Sequence, residues 1–288
     1  MYNTYRTLVV VILYNKKIVD SLTIDSINDS SLENATLFVV NNGPSIVTLN
    51  DECAPFLSRP NNDVKLFNYT ENRPLSVIYN ECLSVSDYDK YVFFDDDSSF
   101  ERDYFDEPQN FAMIDEKVDL LLPQIIDKTT GGVTYPRGVK LGDYEAGFIF
   151  PQDNYFYSIG SGLIIYKSLI DKFNKYNLSL FDERFALYGV DLSLFRRIER
   201  LKKQNVVIKA MVTGKIFHLL SSTSEKMTEW RYRERLYDKV LSIKYYSKNH
   251  FRLIAGLAKA ILIEIYNVNF KNVYHIFSVF IRGKHPRT

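Results

Sequence analysis

The chain has 288 residues, 46% of them hydrophobic and 25% charged. That is the composition of an ordinary folded protein, not a disordered one, and the length suits one large α/β domain with an appendage or two small domains. A formal net charge of +1 gives no overall polycation for nucleic acid to meet. The two cysteines, Cys53 and Cys82, show neither metal-ligand spacing nor the number for a disulfide framework, which points to a reducing, cytoplasmic setting.

Taken in chain order, Thr7–Leu13 is a continuous β-branched apolar run and reads as a strand buried on both faces. It is too short for a secretory leader, so no signal peptide is expected. A helix is expected from about Lys16 to Asn28, then a second buried strand at Ala35–Val40, closed by the turn Asn41-Asn42-Gly43-Pro44. Val64–Tyr69 is a third strand. Leu75, Ile78, Tyr79, Cys82 and Leu83 fall on one face of a 3.6-residue period, with Pro74 in the first turn, where a missing N–H costs nothing. Tyr91–Phe94 is a fourth strand and runs into Asp95-Asp96-Asp97; Val118–Leu122 is a fifth. Residues 127–155, rich in Gly, Asp and Tyr, read as a long loop or irregular hairpin. A strand at Ser158–Tyr166 contains Gly160-Ser161-Gly162. A helix at Asp191–Lys203 and strands at Val206–Val212 and Lys215–His218 follow. The βαβα order predicts an α/β fold with a mainly parallel, doubly wound sheet, whose ligands gather at the carboxyl ends of the strands.

From Glu229 onward the pattern is helical, basic and aromatic, with twelve Lys/Arg against four Asp/Glu. Because the whole chain carries +1, residues 1–228 are left with about −7. The chain thus divides into a domain at 1–228 and a basic amphipathic helical extension at 229–288. Such an extension either lies in an anionic membrane interface or caps the α/β domain with its charges solvated. Its longest apolar stretch, Leu253–Tyr266, includes Lys259 and Glu264 and falls short of the roughly 20 residues a spanning helix needs, so no transmembrane segment is expected.

The carboxylates after the fourth strand are the strongest chemical signal. Side chains alternate along an extended chain, so Asp95 and Asp97 point one way and Asp96 the other. Two carboxylates on one side make half of a hard-cation site that leaves positions open for water and substrate phosphates; the alternative is a solvated acidic turn. Asp191 at the start of a helix is either a general base or a helix N-cap. His218, after a late strand, is either a metal ligand or a hydrogen-bonded structural histidine. Arg73 either reaches a base or phosphate or is a solvated surface residue, and the glycines at 160–162 either admit a ligand close to backbone or bend a strand.

Together these pieces resemble glycosyltransferase family 2, with the GT-A fold, from about Leu8 to His218. The resemblance rests on Val10-Val11-Ile12-Leu13-Tyr14-Asn15, Phe38-Val39-Val40-Asn41-Asn42-Gly43, Glu71-Asn72 with Asn80, and Phe94-Asp95-Asp96-Asp97-Ser98, which is similar to the rhamnosyltransferase-like branch. It continues through Gly160–Tyr166, Phe181-Asp182-Glu183-Arg184-Phe185 and Tyr188-Gly189-Val190-Asp191-Leu192. The sequence departs from the family where Asn41 replaces the usual aspartate, Arg73-Pro74 replaces a glycine, and Val190 replaces an acidic residue.

The resemblance implies an inverting transfer of a sugar from a nucleotide-diphosphate donor to a hydroxyl acceptor. Asp97 would hold Mn²⁺ or Mg²⁺, Asp95 the metal or the ribose, and His218 a further metal position. Asp96 would sit behind them, and Asp191 would be the base. Asn15, Asn41, Asn72 and Arg73 would line the nucleotide pocket, and Asp182 would orient the acceptor or brace its loop. The branch favours dTDP-rhamnose as donor, with UDP-galactofuranose or another UDP-hexose as alternatives. The acceptor would be a glycan or a polyprenyl-diphosphate-linked oligosaccharide at the inner face of the cell membrane, in surface polysaccharide synthesis. Two rivals are a nucleotidyltransferase, which needs a glycine-rich phosphate loop where the chain has Tyr14-Asn15-Lys16, and a non-catalytic glycan-binding relative.

Overall fold

The computed structural model describes residues 5–85, 87–106, 118–138, 144–219 and 227–288. Its strands are β1 (Thr7–Leu13), β2 (Ala35–Asn41), β3 (Asp63–Asn68), β4 (Lys90–Asp95), β5 (Ser99–Phe100), β6 (Leu120–Asp127), β7 (Val133–Tyr135), β8 (Ile164–Tyr166) and β9 (Ala210–His218). They form one mixed sheet in the order β3-β2-β1-β4-β8-β6-β9-β5, with β7 on β6. Strand β1 is apolar throughout because it is covered on both sides. Leu8, Val10 and Ile12 enter one core, and Val9, Val11 and Leu13 enter the other, the period-2 alternation of a strand.

The parallel arrangement expected from the sequence holds for β3-β2-β1-β4 and for β6 with β9. Between those blocks β8 runs antiparallel to both neighbours. Because β8 opposes β4 and β6 alike, the carboxyl ends of β1, β2, β3, β4, β6 and β9 share one edge. Asn41 pairs with Leu13 and Asn68 there, Asp95 with Ile12, and His218 with Asp127. The register alone therefore gathers the polar strand ends into a row.

Three elements differ from the sequence expectation, each for a local reason. The helix expected from Lys16 is a 3₁₀ turn at Ile18–Asp20 followed by α1 (Leu22–Asp29), because the Ser21 hydroxyl accepts the Ile24 N–H and starts a new helix there. The two late strands are one strand, β9, with a bulge where Gly214 is the extra residue opposite Pro123 and Gln124; a proline lacks the ladder donor and tolerates that break. The strand expected from Ser158 shortens to Ile164–Tyr166, because Gly160-Ser161-Gly162 turns.

At Gly162, φ is +80° and an added Cβ would lie 1.9 Å from Ile216 Cδ1. Gly162→Ala is therefore expected to cost about 3 kcal/mol through strain and overpacking, read as a lower urea midpoint with an unchanged slope.

The remaining helices are α2 (Ala54–Leu57), α3 (Leu75–Leu83), α4 (Lys167–Asn174), α5 (Val190–Lys202), α6 (Glu229–Tyr246), α7 (His250–Tyr266) and α8 (Phe270–Arg282). Pro74 sits one position earlier than expected, as the N-cap of α3. The last three helices are opened by Thr228, Asn249 and Asn269, whose side chains accept N–H groups of their first turns. Leu236, Val240 and Ile276 continue the same core as Phe185 and Val190. The Tyr246 hydroxyl donates to Asp182 at 2.6 Å, and Arg196 donates to Ser242 at 2.6 Å. Among the described residues, no helix is long and apolar enough to cross a membrane.

Candidate active site

The end of β4 is clamped from below by α1. The Thr23 hydroxyl bridges the Asp95 and Ser98 carbonyls at 2.6 and 3.0 Å and accepts the Ser98 N–H at 3.0 Å. This fixes the turn that Asp96 and Asp97 make beyond β4, and the turn divides the side chains. Asp96 turns back to the Tyr14 N–H at 3.2 Å and to the Lys16 ammonium. Asp95 and Asp97 turn to the other side, where His218 arrives from the end of β9. Its Nδ1 is 3.0 Å from Asp97 Oδ1, and its Nε2 is 3.8 Å from Asp95 Oδ2. One ligand atom each from Asp95, Asp97 and His218 lies within 4.8 Å of the others.

The donor set suits a hard or borderline divalent cation. Asp97 Oδ1 is buried without a hydrogen-bond donor in line, an arrangement that costs energy unless a positive group satisfies it. The Ser98 hydroxyl lies 2.9 Å from His218 Nδ1 and fixes the ring, the kind of support a metal-binding imidazole uses. The side chains are 47%, 27% and 9% exposed for Asp95, Asp97 and His218, so Asp95 is the most open of the three.

The charges are mutually dependent. Burial pushes the Asp95 carboxyl up; His218 opposes this, while Asp97, Asp191 and Asp96 reinforce it. Burial also works against ionised Asp97, but the close contact and charge of His218, with Lys16, hold it below the usual carboxylate range. His218 is raised in turn, because the close contact with Asp97 and the charges of both aspartates outweigh its burial. The Lys128 ammonium donates to the Asp97 carbonyl at 3.1 Å, so two lysines, 16 and 128, border the carboxylates.

The loop at 160–162 joins this cluster to Asp191. The Ser161 hydroxyl accepts the Asp95 N–H at 3.2 Å and lies 2.7 Å from the Ser98 hydroxyl. The Gly162 N–H donates to the Phe93 carbonyl at 2.7 Å. The Gly160 backbone faces the Asp191 carboxylate so closely that a Cβ there would lie 2.5 Å from Asp191 Oδ1.

Asp191 is not the helix cap. That position is Gly189, with φ +80° and no side-chain cap, and Asp191 sits in the first turn of α5, where the helix N-terminus favours a carboxylate. Burial nevertheless pushes its pKa up to about 6, against the Gly160 N–H and His218, which lower it. Gly160→Ala is expected to displace this carboxylate. A changed titration of the Asp191 carboxyl, followed by NMR of the folded protein, checks it.

The asparagines occupy the neighbouring strand ends but are largely engaged within the fold. Asn41 Nδ2 donates to the Ser45 carbonyl and to Asn68 Oδ1, both at 2.7 Å, while its Oδ1 accepts the Gly43 N–H at 3.1 Å. A Cβ at Gly43 would lie 2.6 Å from the Asn15 nitrogen, so Asn15, at φ 52°, packs directly on this turn. Asn72 accepts from Arg287 at 2.9 Å. Arg73 pairs with Glu81 at 3.0 Å and stacks 4.5 Å over Tyr69. Asp182 is buried against Arg184, Arg197 and Tyr246, which makes it a brace between its loop and α6. Sequence reasoning missed Thr23, Ser98, Ser161 and Lys128. Of these, only Ser98 and Ser161 carried a signal, through adjacency to the aspartates and to the glycines.

A mixed α/β sheet with a carboxylate pair and a histidine gathered at its carboxyl edge is GT-A-like. The model of "Glycosyl transferase family 2" matches residues 8–189, and the chain belongs to that family. Among solved structures it is similar to S. aureus TarS residues 1–349 in complex with UDP-GlcNAc, at 13% identity and a TM-score of 0.54, over 98% of this chain and 93% of that one. A further S. aureus TarS structure matches at 14% identity and a TM-score of 0.52, covering 89% of this chain but 43% of that one. At such identities the likeness is one of fold. No curated protein matches the chain.

Proposed function

We propose that the chain is an inverting, metal-dependent glycosyltransferase that moves a sugar from a nucleoside-diphosphate donor to a hydroxyl of a glycan acceptor. The observation that carries this reading is the convergence of Asp95, Asp97 and His218 at the sheet edge, joined to Asp191 through the Gly160-Ser161-Gly162 turn. In this reading residues 1–228 carry the transfer and residues 229–288 support and localise it.

Asp191 accepts the proton of the acceptor hydroxyl. The freed oxygen forms a bond to the anomeric carbon as the bond from that carbon to the diphosphate breaks on the opposite face. One displacement inverts the configuration, as in glycosidases that use a single carboxylate base. A divalent cation held by Asp95, Asp97 and His218 would act as a Lewis acid toward the departing diphosphate. Lys16 and Lys128 add positive charge beside it, and Asp96 holds Lys16 in place. Asn15, Asn41, Asn72 and Arg73 shape the turns that would receive the nucleoside.

The resemblance to the rhamnosyltransferase-like branch favours dTDP-rhamnose as donor. A UDP-sugar is the second reading, favoured by the UDP-GlcNAc bound in the TarS structure of the same fold. A lipid-linked oligosaccharide acceptor at the inner membrane face fits the cationic extension. Incubation with each donor and a set of glycan acceptors, with NMR of the product's anomeric proton, tests this. An inverted product from one donor is expected; a retained configuration would overturn the single displacement.

A further inference from the structure

The last two helices leave a large apolar surface without a partner among the described residues. On α7, Phe251, Ile254, Leu262 and Tyr266 point to solvent; on α8, Tyr274 and Ile281 do the same. Phe251, Tyr266 and Ile281 are 79, 87 and 78% exposed, and large apolar side chains gathered on a surface in this way mark an interaction site. The spacing explains the stripe, since 251, 254, 262 and 266 recur at helical intervals on one side of α7. The opposite side packs inward, where Gly256 lets Ile243 approach and Ala260 is buried.

The exposed charges carried by α7, α8 and their flanking turns have one sign. Lys248, Arg252, Lys259, Lys271, Arg282 and Lys284 are all exposed. After Asp238 the only acidic side chain in the sequence is Glu264, and it is buried, taking hydrogen bonds from Tyr232 and from Asn272 at 2.8 Å. Glu229 of α6, 3.9 Å from Lys271, is an anion at one border; a stripe whose own helices expose only cations does not suit a second copy of the chain, because a symmetric contact would bring like charges together. It does suit an anionic bilayer, where apolar side chains enter the acyl boundary and Lys/Arg meet the headgroups.

We infer that α7 and α8 form a membrane-docking surface that lies in the interface of an anionic leaflet, with Phe251, Ile254, Leu262, Tyr266, Tyr274 and Ile281 inserted. The surface stands apart from the transfer chemistry and is tested without it. The full chain is floated with vesicles of phosphatidylcholine alone or with 30% phosphatidylglycerol, at about 0.1 and 0.5 M NaCl. The test includes Phe251→Ser/Leu262→Ser, Lys259→Glu/Arg282→Glu, and sedimentation of each protein without lipid.

Wild type is expected to float with the anionic vesicles at least tenfold more than with neutral ones, and less at high salt. Both double variants are expected to lose at least tenfold while remaining folded by circular dichroism. No flotation by folded wild type, equal flotation with neutral vesicles, or a dimer that the serine variant dissociates would overturn the assignment, the last giving the face to a second copy. Loss of flotation with transfer intact on a soluble acceptor, or the reverse, separates this surface from the catalytic reading.

Discussion

Asp191→Asn is expected to lower kcat by about 1,000-fold, the middle of the range for loss of a general base, with donor Kd changed less than twofold. The amide keeps the size of the carboxylate and still fits beside Gly160, so any loss belongs to proton transfer and not to packing. The pH profile gives an independent reading. A base works when ionised, and burial places this carboxyl at about 6. The wild-type rate should therefore fall tenfold per unit as pH drops below about 6 and level off above it. The variant should lose that limb together with the rate. Near-normal turnover, or a limb that survives the substitution, would leave Asp191 as a first-turn carboxylate serving only the helix.

Asp97→Ala is expected to remove the metal dependence of donor binding, with affinity in saturating Mn²⁺ falling about 100-fold toward the metal-free value. Asp97 Oδ1 is a buried oxygen without a donor in line, so deleting it breaks no well-formed hydrogen bond of that atom. The metal-free variant should accordingly melt within about 3 °C of wild type, roughly 1 kcal/mol for a chain of this size. A large drop in metal-free stability would recast Asp97 as a structural partner of His218. Donor affinity that still responds to Mn²⁺ as in wild type would remove it from the metal site.

Much of the site was legible because it follows from short-range rules. Extended-chain alternation paired Asp95 with Asp97 and set Asp96 apart; the structure makes the same division through a turn beyond β4, which sends Asp96 to Tyr14 and Lys16. The buried run Thr7–Leu13 and the amphipathic spacing from Leu75 to Leu83 gave β1 and α3 for the same reason.

What the sequence could not give depends on register between distant segments. His218 meets Asp95 and Asp97 only because β8 inserts antiparallel and brings β6 and β9 into line with β4. Nothing local to Ile164–Tyr166 announces that direction. Asp191 faces Gly160 across 31 residues of sequence, and its alternative as a helix cap was resolved only by finding Gly189 at that position. Asn41 reads as a ligand group in the sequence; the structure shows its amide engaged in the turn with Ser45, Asn68 and Gly43. The basic extension was legible as amphipathic, but not which of its faces packs. Leu236, Val240 and Ile276 turned inward and left Phe251, Tyr266 and Ile281 outside.

The central claim is a cation-dependent nucleotide-sugar site at Asp95, Asp97 and His218. Its most direct test is calorimetric titration of the folded protein with dTDP-rhamnose and UDP-GlcNAc, each in Mn²⁺ and in EDTA, with Asp97→Ala alongside. Wild type in Mn²⁺ is expected to bind one donor saturably, with binding at least 100-fold weaker in EDTA and in the variant. Binding of neither nucleotide sugar, or equal binding with and without the cation, would contradict it.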